Sequence, residues 1–191
     1  MWLSDRSIRR LVAEGRMGID PFDGRLVQPA SVDCLLGGSL LQMAPGLAAD
    51  PRKPDDVRWH SVRATEEKPF RLERDAFVLG HTVETYRFPP NLLGFVHGKS
   101  SLARLGLAVH VTAGLCDPGF YGQVTLELSN MGRRDILLWP SMPIAQMAFA
   151  FLDLDAERPY GAPGLGSKYN GQLGPTAPRL SGIPHALARD R

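Results

Sequence analysis

The chain has 191 residues, 22% of them charged, with a formal net charge of +2. A chain of this length makes about one domain and buries roughly 70% of its unfolded surface, so it can build a core without staples. So balanced a charge excludes a nucleic-acid footprint or a polybasic membrane patch, and any basic site must be local. Cys34 and Cys116 lie far apart and in no CxxC, which indicates neither a disulfide framework nor a zinc ribbon. The opening MWLSDRSIRR lacks an apolar h-region, and no apolar run approaches the ~18 residues of a membrane span. A cytoplasmic protein is the expectation.

Ser4 reads as an N-cap, with Ile8, Leu11 and Val12 at helical spacing and Gly15 as the residue that ends the helix. The spacing predicts a helix over about 5–14. Pro21, Asp23 and Gly24 mark a turn, and residues 27–44 read as extended segments broken by Gly37 and Gly38. Residues 45–68 are polar and Pro-bearing and read as a long surface loop. Short apolar runs follow at 70–72, 76–79, 82–88, 92–96, 108–111, 123–128, 136–139 and 144–152, each bounded by Gly, Pro, Asn or Asp. Many short strands between turn signals argue for an all-β sandwich, jelly roll or barrel. One internal helix is expected, at 100–105. No repeat or linker interrupts residues 1–157, which read as a single domain. The tail, 158–191, is dense in Gly and Pro over 158–179, yet it holds Tyr160, Lys168, Tyr169 and Gln172. A disordered end and a lid closing on a ligand both fit that composition.

Chemistry concentrates in 98–130, GKSSLARLGLAVHVTAGLCDPGFYGQVTLELSN. GFVHGKSS is one residue short of a Walker A loop and has no Walker B partner, so a P-loop kinase is disfavoured. Lys99, Ser100 and Arg104 could still bind phosphate where a short helix begins, although a solvated lysine and a cap serine would look the same. In GQVTLELSN, Val124, Leu126 and Leu128 face one way and Thr125, Glu127 and Ser129 the other. Glu127 is therefore either a solvent-facing carboxylate or, in a cleft where desolvation favours its protonated form, a general base. Asp117, before Pro-Gly, is a turn residue or a ligand contact. His60, His81, His97, His110 and His185 form no HxE or HExxH pattern, and PCxxC is missing. Zinc deaminases and hydrolases are thereby disfavoured.

Several runs together resemble the dCTP deaminase family, part of the deoxyuridine-triphosphatase-like superfamily. They are KSSLARLGL (99–107), HVTAG with DPGF (110–120), TLELSN (125–130) and PYG, GSKY and GPT within 159–176. LSDRSIRRLVAEGRMGIDPFD (3–23) and QPASVD (28–33) extend the likeness to nearly the whole chain. The resemblance implies a distorted jelly-roll β-barrel, a homotrimer with active sites between subunits, and deamination of the cytosine ring without zinc. Glu127 matches the base that activates water for attack at C4. Ser100 and Arg104 match residues holding that water and the triphosphate, with Lys99 and Ser101 beside them. Asp117 matches the sugar-contacting aspartate, while Thr125, Leu126, Gln146, Tyr160, Lys168 and Gln172 match substrate-binding positions. Magnesium would ride on the triphosphate, and thymidine triphosphate would be a feedback inhibitor. Ala113-Gly114 matches members that also split the triphosphate to give dUMP and diphosphate. The run TAGLCDPGFYG is similar to the superfamily's triphosphatase motif, in which the residue matching Asp117 orients a water. A plain deaminase releasing dUTP and a nucleotide-sensing trimer without turnover are the alternatives. Two positions depart from the family pattern: Leu35 stands where an Arg is expected, and His97 precedes GKSS.

Overall fold

The computed structural model describes residues 1–51 and 57–180. Residues 181–191 of the expected tail, His185 among them, and part of the expected 45–68 loop lie outside this range. The first helix, α1 (Asp5–Ala13), begins where the sequence places it. The Ser4 hydroxyl accepts from the Ser7 backbone N–H, and Ile8 and Leu11 are buried. Gly15 follows at φ +68°. The chain then forms β1 (Gly18–Asp20), a 3-10 turn at Gly24–Leu26 capped by Asp23, β2 (Val27–Gln28), β3 (Ser31–Leu35) and β4 (Ser39–Met43).

The expected 45–68 loop instead contains β5 (Trp59–Arg63), a mostly exposed strand paired with β4 alone. At a sheet edge, backbone pairing to one neighbour holds a strand without an alternating apolar face, so the sequence carries little signal there. After β6 (Phe70–Leu72), the runs 76–79 and 82–88 join into one long strand, β7 (Phe77–Arg87). The remaining elements are β8 (Leu92–Gly98), α2 (Ser100–Ala103), β9 (Leu107–Ala108), β10 (Leu115–Cys116), β11 (Tyr121–Asn130), β12 (Ile136–Leu138) and β13 (Pro143–Phe151). The 108–111 run leaves the sheet after Ala108, and Val111 is exposed.

The protein is mostly β. A six-stranded sheet runs β5-β4-β7-β11-β9, with β1 also on β7, and a five-stranded sheet runs β10-β8-β13-β3-β2. A third sheet pairs β12 with β6. Every strand pair is antiparallel. Among the described residues the bridge Leu36–Thr82 links the backbones of the two large sheets. Among the described residues the two sheets pack together with open edges, so the expected distorted jelly-roll β-barrel is not closed. Val78, Tyr86, Leu126 and Leu128 of one sheet share a core with Val32, Cys34, Met147 and Phe149 of the other, and α1 adds Ile8 and Leu11. Fully burying each such side chain contributes about 1.5–3 kcal/mol relative to exposing it. Among the described residues no helix is long and apolar enough to cross a membrane.

Candidate functional site

The alternation of β11 sets up the site. Val124, Leu126 and Leu128 are buried in the core, and Gln123, Thr125 and Glu127 stand half-buried on the other face. Leu126 is 0% exposed, so only its backbone is left to meet a ligand. Past the end of β9, the chain still follows β11: the Glu127 N–H donates to the Val109 carbonyl at 3.0 Å. The Glu127 carboxylate in turn accepts the Val111 N–H at 2.8 Å. The carboxylate is therefore held by the segment that leads into Ala113-Gly114.

Two glycines let the tail fold onto this face. Gly119, at φ +87°, would with a side chain strike the Tyr160 backbone at 2.8 Å, and Gly122, at φ +140°, would strike the Gln172 carbonyl at 2.8 Å. The Tyr160 N–H donates to the Pro118 carbonyl, and Gln172 forms a bridge with Gly122. Gln123 is the hub. Its N–H donates to the Gln172 carbonyl, its own carbonyl accepts from Gln172 Nε2 at 2.7 Å, and its Oε1 accepts the Gly174 N–H at 2.6 Å. The Thr176 N–H donates to Thr125 Oγ1, and the Tyr169 N–H to the Tyr160 hydroxyl.

Between tail and sheet lies a cleft of about 330 Å³, lined by Ala113, Asp117, Phe120, Thr125, Glu127, Tyr160, Tyr169 and Gln172 among others. That volume is at the small end of the range for small-molecule sites. Lys168 borders an adjoining hollow with Asp117 and Tyr160. Gln172 Oε1 is buried with no hydrogen-bond partner among the described residues. Gly114 does not line the cleft. Its carbonyl accepts the Val96 N–H at 2.8 Å, and a Cβ there would press on the Val96 carbonyl at 3.0 Å and the His110 ring at 3.2 Å. Glycine at 114 thus serves a close backbone approach to β8, while Ala113 faces the cavity.

The remaining expected residues, Lys99, Ser100, Ser101, Arg104 and Gln146, do not line this cleft. They gather where β8 passes into α2. Ser100, Ser101 and Arg104 are exposed. Lys99 is paired with Asp33 at 2.6 Å. Gln146 accepts from Ser31 Oγ at 2.9 Å and donates to the Gly98 carbonyl at 3.0 Å. Sequence reasoning passed over Gln123 and Asp33, although both lie in runs it singled out. Gln123 shares the outward face of β11 with Glu127, and that periodicity could have marked it.

The two departures have clear surroundings. The Leu35 N–H donates to both oxygens of Glu84, which is 2% exposed. None of the ion pairs among the described residues reaches Glu84, and burial pushes its carboxyl up to about 7. His97 is exposed and stacks on Phe95 at 6.3 Å. Burial also pushes the Cys116 thiol up to about 12 and holds the Cys34 thiol well above its ordinary value, so neither offers a thiolate nucleophile at neutral pH.

With this geometry in hand, the relatives are informative. The family model described as dCTP deaminase-like matches residues 2–152. Over 181 residues the chain is 48% identical to a Mycobacterium ulcerans (strain Agy99) protein named dCTP deaminase, dUMP-forming, covering 94% of this chain and 95% of the relative. A Mycobacterium tuberculosis (strain H37Rv) protein of the same name is 47% identical over 183 residues, with the same coverage. The crystal structure of 2'-deoxycytidine 5'-triphosphate deaminase from Agrobacterium tumefaciens matches with TM-score 0.64 and 22% identity. That match covers 79% of this chain and 48% of the other, and it speaks to the fold alone. The chain belongs to the dCTP deaminase-like family.

Proposed function

We propose that this protein deaminates dCTP at cytosine C4 and hydrolyses the triphosphate, so that dCTP and two waters give dUMP, diphosphate and ammonia. The observation that carries this reading is the placement of Glu127. It is a half-buried carboxylate on a cleft wall, held by the Val111 N–H, with Asp117 and Tyr160 lining the same cavity. The identity of 47–48% with relatives named as dUMP-forming, over 94% of the chain, supports the same reading.

In this reading Glu127 takes one proton from the attacking water and gives it to N3, then takes the proton of the new C4 hydroxyl and passes it to the amino group, which leaves as ammonia. Asp117 contacts the sugar and orients the second water, in space left by Ala113. Ser100 holds the first water, and Arg104, Lys99 and Ser101 meet the triphosphate. Because those four residues do not line the cleft of their own copy, the complete site takes them from a neighbouring copy, in a homotrimer. The tail from 158 onward acts as a lid, with Tyr160, Lys168 and Gln172 contacting the nucleotide. Among the described residues the cleft is lined by two carboxylates, Asp117 and Glu127, too few for a protein cage. A magnesium ion would be held mainly by phosphate oxygens and water, and would offset charge on the triphosphate. Thymidine triphosphate, carrying the same sugar and triphosphate, would compete for the cleft.

The test is product analysis with dCTP and magnesium, separating dUTP, dUMP and diphosphate. The expected products are dUMP and diphosphate with no free dUTP. Accumulating dUTP would make the protein a plain deaminase, and tight nucleotide binding without turnover would make it a sensor.

A further inference from the structure

The corner between β8 and α2 contains one charged residue that the proposed chemistry does not use. Asp33 is 6% exposed, on the middle of β3, and its Oδ1 lies 2.6 Å from Lys99 Nζ. The contact is a charge pair without an aligned hydrogen bond on Oδ1, and Oδ2 accepts only a long 3.4 Å bond from Gln28 Nε2. A buried carboxylate is costly unless a cation compensates it, so Asp33 and Lys99 are bound to each other's position.

Register explains how they meet. Asp33 lies directly opposite Gln146, and Gln146 directly opposite His97, two residues before Lys99. Gln146 closes the row at both ends of its amide, on Ser31 and on the Gly98 carbonyl. The backbone before Lys99 is thus held by Gln146 and the ammonium by Asp33. Lys99 is the residue preceding α2, and its side chain makes no capping bond to that helix. Asp33 is the only ion-pair partner Lys99 has among the described residues.

We infer that Asp33 is a positioning residue for the triphosphate: it fixes the Lys99 ammonium in place before the anion arrives. This rests on the reading above, in which Lys99 meets phosphate. A lysine side chain is among the most costly to order, and a partner that orders it in advance removes that cost from binding. The opposing effect is Coulombic, since a nearby carboxylate repels phosphate. The two effects predict opposite signs. Preorganisation makes Asp33→Asn bind more weakly, and repulsion alone would make it bind more tightly.

The experiment measures calorimetric affinity for inorganic tripolyphosphate and steady-state dCTP kinetics on the full-length protein. Asp33→Asn should weaken tripolyphosphate binding and raise KM for dCTP by about tenfold, with kcat changed less than about threefold. Asp33→Glu should recover most of the loss. Unchanged or tighter binding in Asp33→Asn would overturn the inference, as would a loss confined to kcat. The double variant Asp33→Asn/Lys99→Met leaves no orphaned charge and serves if the single substitution unfolds. It should bind tripolyphosphate as Lys99→Met does, and a further tenfold loss would mean that Asp33 acts through the fold. Wild-type protein that fails to turn over dCTP would sink the proposed function, while the tripolyphosphate comparison would still decide the role of Asp33.

Discussion

The cleft beside Glu127 and the corner at Lys99 come from one stretch of 33 residues, 98–130, yet they are finished in different ways. At the corner, polar groups are matched within the chain: Gln146 is bonded at both ends of its amide and Lys99 is paired with Asp33. In the cleft, the Glu127 carboxylate lines the cavity half-buried and accepts a single backbone N–H among the described residues. A matched polar cluster holds a shape, and a carboxylate with lone pairs left over in a cavity wall can take a further donor. The corner is therefore built to present its exposed Ser100 and Arg104 outward, and the cleft to receive.

The sharpest way to break that contrast is to remove the cleft's base. Glu127→Gln keeps the shape and an acceptor for the Val111 N–H but loses the proton acceptor. It should lower kcat by about 10²–10⁴-fold while nucleotide binding stays measurable by calorimetry. Retained turnover would remove Glu127 from the chemistry.

A smaller effect should come from loosening the tail. Gln123→Ala deletes the side-chain acceptor for the Gly174 N–H, and truncation after Ala156 removes the whole covering segment. We expect about a tenfold rise in KM for Gln123→Ala and a larger loss on truncation, with the thermal unfolding of the sandwich nearly unchanged. A truncated chain that no longer folds would show that the tail is part of the core.

The smallest effect concerns stability alone, at the β3–β7 contact behind the corner. Glu84 has its folded-state carboxyl raised by burial from 4.5 to about 7, so the folded protein binds the proton more tightly than the unfolded chain. Its contribution favours folding below about pH 4.5 and is lost as pH rises through about 7, a difference of up to about 3 kcal/mol. Glu84→Gln should raise the unfolding temperature at pH 8 and flatten its pH dependence between pH 5 and 8. A lower unfolding temperature at pH 8 would mean that the carboxylate is compensated by charge.

Much of this fold was legible because burial follows period. Ile8 and Leu11 at helical spacing gave α1, and the alternation of 123–128 assigned Glu127 to the outward face of β11. β5 was illegible because an edge strand needs no apolar alternation, and β10 because two residues carry no period. The distorted jelly-roll β-barrel came from the resemblance, because strand patterns give faces and not which edges pair. The mostly β fold is there, and its sheets do not close among the described residues. Proximity in the chain also suggested that Lys99, Arg104 and Glu127 share one site. The structure does not bring them to one cavity: Lys99 follows β8 of the five-stranded sheet, Glu127 belongs to β11 of the six-stranded one, and neither Lys99 nor Arg104 lines the cleft beside Glu127. The homotrimer that the resemblance implies is what points beyond a single copy.

The claim that joins cleft and corner is that one copy's Glu127 works with another copy's Arg104. Mixing Glu127→Gln and Arg104→Ala proteins after co-refolding tests it most directly. Each variant alone should be nearly inactive, and a random equal mixture of subunits in a closed ring should restore about a quarter of the sites. Activity that stays at the level of the separate variants would contradict a shared site and place all of the chemistry within one copy.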